Sequence, residues 1–182
     1  MDSHQQEAAR PNIPIRLGEM KDAEAYHTFR QKIPYETVFM AWKPGEFDLP
    51  QQNTEARLQS QQQGQRQTQN TNVAFLAWDG PKVVGAVAAE RGRPERMKHR
   101  AHLAIGVLAA YRGMGVGSRL LKALEDWAKE QGVIRLELTV MTANHLAHTL
   151  YGKMGYKEEG IRRKAIFSEG QYLDEYYMAK ML

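Results

Sequence analysis

Gly113, Gly115 and Gly117 are spaced two residues apart, where an apolar strand-like run gives way to a helix-like one. The whole segment reads Ile105-Gly106-Val107-Leu108-Ala109-Ala110-Tyr111-Arg112-Gly113-Met114-Gly115-Val116-Gly117-Ser118. Glycines let backbone N–H groups approach a ligand with no Cβ in the way. A helix start adds unpaired donors and the positive end of the helix dipole. Together these make a site for a phosphate or a diphosphate. Arg112 at the entrance could add a charge-assisted bond. A nucleotide P-loop would need Gly-Lys-Ser/Thr, and no lysine stands between Gly117 and Ser118. A dinucleotide fingerprint would need Gly-x-Gly-x-x-Gly straight after the strand; here the last spacing is one residue short and the strand ends earlier. A tight packing turn of small residues would also account for the same glycines.

Several elements must position this turn. Ile13 to Leu17 alternates and predicts a first short strand. Asp22 to Lys32 has helix-forming composition, with Ala23, Ala25, Tyr26 and Phe29 as candidate buried positions. Gln51 to Gln69 is rich in glutamine and predicts an exposed helix plus a mobile loop. Val73 to Trp78 and Lys82 to Glu90 flank Asp79-Gly80-Pro81 and predict a hairpin. A turn at Gly92 to Glu95 leads to a strand from about Lys98 to Val107. Ser118 to Gln131 carries Leu120, Leu121, Leu124, Trp127 and Ala128 at helical spacing and stops at Gly132. Arg135 to Met141 alternates Leu136, Leu138 and Val140, a half-buried strand. Asn144 is a good N-cap for a helix to about Met154, closed by Gly155. Lys157 to Phe167 and Tyr172 to Met181 predict two last strands. The order implies a mixed α/β fold, one layer of sheet with helices on it.

The chain has 182 residues, which suits one domain over residues 13–182 after a disordered, polar tail at 1–12. It has no cysteine, which removes thiolate metal sites, disulfides and cysteine nucleophiles together. A net charge of +4 slightly favours anionic ligands but selects none of them. No dense Lys/Arg tract with interleaved aromatics points to nucleic acid. The apolar runs are short for a membrane span. The expectation is a cytoplasmic protein that binds neither membrane nor nucleic acid.

Arg112-Gly113-Met114-Gly115-Val116-Gly117 resembles the Gln/Arg-x-x-Gly-x-Gly/Ala signature of the GNAT superfamily of acetyl-CoA-dependent N-acetyltransferases. Asn144-His145-Leu146-Ala147-His148-Thr149-Leu150-Tyr151-Gly152-Lys153-Met154-Gly155-Tyr156 resembles its second hallmark, Asn-x-x-Ala-x-x-Leu-Tyr-x-x-x-Gly-Phe/Tyr. The segment from Glu159-Gly160 to Tyr176-Tyr177-Met178 is similar to the branch of amino-acid, spermidine and phosphinothricin acetyltransferases. The resemblance implies a mostly antiparallel sheet in which the strands ending at Val107 and Met141 run parallel and splay apart. It implies acetyl-CoA as co-substrate, with the backbone N–H groups of Gly113, Met114, Gly115, Val116, Gly117 and Ser118 on its diphosphate. Ile105, Gly106 and Val107 would then lie along its pantetheine, and Val107 N–H would face the thioester carbonyl.

Tyr151, by the same resemblance, is the general acid for the leaving thiolate; a phenol is protonated at neutral pH and can donate. Asn144 caps its helix and is a second candidate contact to pantetheine. The base is less defined. Some relatives carry a glutamate five residues before the Asn, where this chain has Thr139. Glu137, two residues earlier and on the same strand face, is the substitute, with Glu90, His102 or a water chain as alternatives. Transfer is expected to be direct, since no cysteine exists to carry an acyl group, and no metal is implied. The acceptor is expected to be a small-molecule primary amine such as an amino acid or polyamine. A protein N-terminus or lysine, or a non-catalytic acyl-CoA-binding module, are the alternatives. A homodimer is an expectation from analogy alone.

Overall fold

A computed structural model describes residues 12–46, 50–67 and 72–182, without the side chains of 63–67. Most of the expected tail, residues 1–11, lies outside the described residues, as do 68 and 69 at the end of the glutamine-rich segment.

The elements in chain order are β1 (Ile15–Leu17), α1 (Ala23–Lys32), α2 (Gln51–Gln67), β2 (Asn72–Asp79), β3 (Lys82–Arg91), β4 (Arg100–Val107), α3 (Val116–Glu130), β5 (Arg135–Met141), α4 (His145–Lys153), β6 (Lys157–Ser168) and β7 (Gln171–Met181). Short 3-10 turns precede and follow α1 and bracket β4. The strands form one seven-stranded sheet in the order β1-β2-β3-β4-β5-β7-β6. All neighbours are antiparallel except β4 and β5. That pair runs parallel because α3 crosses over between the two strands, as a parallel connection requires.

The helices cover both faces. A Cβ placed on Gly85 would meet Leu120 and Val116 of α3 at 3.2 and 3.3 Å. One on Gly106 would meet Ile33 and Phe29, at the end of α1, at 3.3 and 3.6 Å. Gly85 pairs with Val107, so Gly106 and Val107 point to opposite faces, and α1 and α3 lie on opposite sides of the sheet. The apolar stripe of α3 is buried as its spacing predicts: Leu120, Leu121, Leu124, Trp127 and Ala128 all join the core.

The helix α2 departs from expectation. It is not simply exposed: Thr54, Leu58 and Gln61, one stripe at helical spacing, are buried. Gln61 accepts the Ala74 N–H and donates to the Gly18 carbonyl, both at 2.8 Å. The amide thus satisfies backbone groups of β2 and of the chain leaving β1, which burial would otherwise leave unpaired. Thr54 receives Arg30 and meets His27, joining α2 to α1.

Candidate functional site

The ladder between β4 and β5 consists of Arg100–Arg135, Ala101–Leu136 and His102–Glu137. Above that rung β4 runs on to Val107 and β5 to Met141 with no further pairing between them. Backbone groups alternate sides along a strand. Leu108 N–H bonds the Val84 carbonyl on β3 at 2.9 Å, so the N–H groups of Val107 and Ile105 face the other way, into the gap. A gap lined by strand amides can accept an extended ligand as a further strand would be accepted.

The glycine turn sits at the mouth of this gap. After the 3-10 turn Ala109–Tyr111, Gly113 and Gly115 take the left-handed conformation, φ 73° and 76°, which other side chains rarely adopt. Gly115 is the N-cap of α3, and no side chain caps the helix there. The first intrahelical bond is Arg119 N–H to the Gly115 carbonyl, so the N–H groups of Val116, Gly117 and Ser118 precede it. Nothing lies within 4 Å of the Cβ positions of Gly113 and Gly115, which leaves the turn open to a ligand. These donors at a helix start fit a diphosphate, the group that the resemblance to acetyl-CoA enzymes implies.

Arg112 was expected to add its charge to that cradle. Its guanidinium is instead engaged with the protein's own backbone. Nε donates to the Val107 carbonyl at 2.9 Å and Nη2 to the Glu36 carbonyl at 3.2 Å.

The helix α4 lies against the same turn, for Leu150 Cδ2 is 3.0 Å from the Cβ position of Gly117. Tyr151, next along, is 6% exposed, and its ring lies 5.8 Å from that of Tyr156. Burial pushes its hydroxyl well above the ordinary phenol range, so it holds its proton across the physiological range. Asn144 caps α4 by accepting the Ala147 N–H at 3.2 Å, which accounts for the residue type.

Glu137 requires a correction. It faces the α1 side at the last rung before the strands part, 5% exposed, and is no free base. Arg100 and Arg135 donate to it at 3.0 and 2.8 Å. Burial by itself would raise its pKa. Hydrogen bonds from Arg135 and Tyr177 and the charge of Arg100 outweigh that, and the carboxyl ends below the usual carboxylate range. A carboxylate so held has little affinity for a proton; its role is to anchor two guanidiniums at the base of the gap. Arg135 continues the network by pairing with Glu159. The alternation Arg135-x-Glu137 already put both side chains on one strand face, whereas Arg100 is 37 positions away and carried no such signal.

Glu137→Ala is expected to destabilise the fold by about 2 kcal/mol, because it removes the charge-assisted bonds from Arg100 and Arg135, while Arg135 keeps Glu159. Thermal denaturation measures it. With a depressed folded-state pKa, the stabilisation is present above the ordinary carboxylate value and lost as pH falls through the lowered one. The gap between the parent and Glu137→Gln should therefore close below about pH 4.

His102 pairs with Glu137 across the ladder and with Glu90 on β3, so the three share the α1 face. They line an open cleft of about 370 Å³ with Arg91, Arg93 and Arg100. Thr139, one alternation above Glu137, faces the same side. Among the described residues no group of three His, Asp or Glu is arranged to hold a metal ion. No described helix is long and apolar enough to cross a membrane.

Comparison with known proteins bears on this geometry. The chain is 33% identical over 103 residues, 54% of its length, to the L-amino acid N-acetyltransferase AaaT of Escherichia coli. It is 40% identical over 89 residues, 48% of its length, to the N-alpha-acetyltransferase RimI of Mycobacterium tuberculosis. The matches span 62% and 54% of those two proteins' own lengths. A crystal structure of an acetyltransferase of the GNAT family from Streptococcus pneumoniae superposes with a TM-score of 0.86 at 30% identity, covering 94% of this chain and 100% of that one. The sequence model of the acetyltransferase (GNAT) family matches residues 34–156, a stretch that holds the parting strands, the glycine turn and Tyr151, and the chain belongs to that family.

Proposed function

We propose that the chain is an N-acetyltransferase that moves an acetyl group from acetyl-CoA directly to a primary amine of a small molecule such as an amino acid or polyamine. The observation that carries this reading is the coincidence of the β4–β5 gap with an uncapped run of amides at the start of α3. The diphosphate lies on the amides from Gly113 to Ser118, and pantetheine runs along Ile105, Gly106 and Val107. The neutral amine attacks the thioester carbon from the α1 face. Negative charge gathers on the carbonyl oxygen, where Val107 N–H donates. The C–S bond then breaks, and Tyr151 passes its proton to the departing thiolate. The proton released by the amine leaves through water or through His102, which shares the α1 face of the sheet, and a proton from water restores Tyr151. Asn144 holds the start of α4 and so fixes where Tyr151 stands.

The similarity to an L-amino acid acetyltransferase supports a small acceptor. The similarity to an N-alpha-acetyltransferase supports a second reading, the free N-terminus of a protein. One assay separates them: thiol release from acetyl-CoA with amino acids, polyamines and short peptides in parallel, each product weighed by mass spectrometry. Turnover on free amino acids or polyamines alone upholds the first reading, and turnover on peptides alone the second. Saturable acetyl-CoA binding without thiol release on any amine would sink both.

A further inference from the structure

Glu36 lies outside every motif of the sequence, yet it makes two contacts with the chain between β4 and the glycine turn. Its Oε2 accepts the Ala109 N–H at 2.6 Å, across 73 positions of sequence. Its backbone carbonyl accepts Arg112 Nη2 at 3.2 Å, while Nε of the same guanidinium donates to Val107 at 2.9 Å. The Glu36 N–H is itself tied to the Ile33 carbonyl at 3.0 Å, and Ile33 packs on Gly106. The side chain is 21% exposed, and Lys32 stands 3.4 Å from its other oxygen. From Glu36 the chain runs to α2 through Val38 and Trp42, both exposed. One residue therefore ties the segment that follows α1 to Ala109, just past β4, and to Arg112, whose guanidinium also holds the Val107 carbonyl.

We infer that Glu36 is a positioning residue: it holds the segment that leaves α1 in register with the Val107 peptide, so that acceptor and thioester meet at a set distance. This rests on the transferase reading above. Reaction rate is steep in such placement, since a misplacement of about 1 Å costs on the order of 100-fold. The contact to Ala109 needs an acceptor oxygen at the reach of a glutamate and does not need the charge.

The test uses the full chain with the amine found by the acceptor screen, and variants Glu36→Ala, Glu36→Gln and Glu36→Asp. Glu36→Ala is expected to lower kcat about 20-fold and to raise the acceptor KM, with the acetyl-CoA Kd within about twofold of the parent. Glu36→Gln keeps an oxygen in reach and restores most of kcat; Glu36→Asp is one methylene short and does not. A role confined to folding would lower the denaturation midpoint and move kcat, KM and Kd together. Should the alanine variant fail to fold, the contrast between Gln and Asp carries the same test. Unchanged kcat in Glu36→Ala, an equal loss in acetyl-CoA affinity, or a Gln variant as slow as Ala overturns the inference. The unaltered chain is read first: no turnover by it on any amine defeats the transferase reading and this inference with it.

Discussion

Tyr151→Phe is expected to lower kcat about 100-fold at neutral pH while the fold and the acetyl-CoA Kd stay as in the parent. General acid catalysis contributes on the order of 10²–10⁴-fold, and a thiolate is a fair leaving group, so the lower end applies. Removal of a single oxygen keeps the ring and its contact with Tyr156, so the core around α4 retains its packing. Burial holds the phenol's pKa far above neutrality, so the proposed acid is protonated at neutral pH. Steady-state kinetics with a saturating amine, together with calorimetric titration of acetyl-CoA, measure both quantities. Equal kcat for parent and variant across the pH range would remove Tyr151 from the chemistry.

Gly115→Asp is expected to raise the acetyl-CoA Kd at least about 100-fold, with only a small loss of thermal stability. Each charge-assisted hydrogen bond is worth roughly 1.5–3 kcal/mol, so losing one or two of them reaches that factor. The position makes the test clean. Its φ of 76° lies in the left-handed region, which Asp tolerates better than most side chains, and the space around its Cβ is empty. A carboxylate at the start of α3 also meets the helix dipole favourably. The helix dipole offsets part of the backbone strain that a left-handed position imposes on aspartate, while the carboxylate puts negative charge where the proposed site holds the diphosphate. A fluorescence or calorimetric titration against the denaturation midpoint separates the two effects; acetyl-CoA bound as tightly by the variant as by the parent would show that the diphosphate lies elsewhere.

Much of this was legible in near-neighbour patterns. The stripe of Leu120, Leu121, Leu124, Trp127 and Ala128, the alternation of Leu136, Leu138 and Val140, and Asn144 as a cap each depend on residues within a turn or two. The structure carries all three. The glycine turn was legible because a left-handed backbone narrows the choice of residue. Gln61 was not. A buried glutamine serves the core only when the backbone groups of Gly18 and Ala74 come within reach, and composition alone reads it as surface. The same holds for Glu137, whose type suits a base and whose neighbours make it an anchor.

The sequence by itself determined the elements, their order and the amides that open α3, since hydrogen-bonding periodicity and backbone freedom are local properties. The tertiary structure alone decided which charged groups stay free. Arg112 is drawn to the carbonyls of Val107 and Glu36, and Arg100 to Glu137, across separations of 5, 76 and 37 positions. An ionisable group's role depends on what surrounds it within a few ångströms, and that company is assembled only when distant segments fold together.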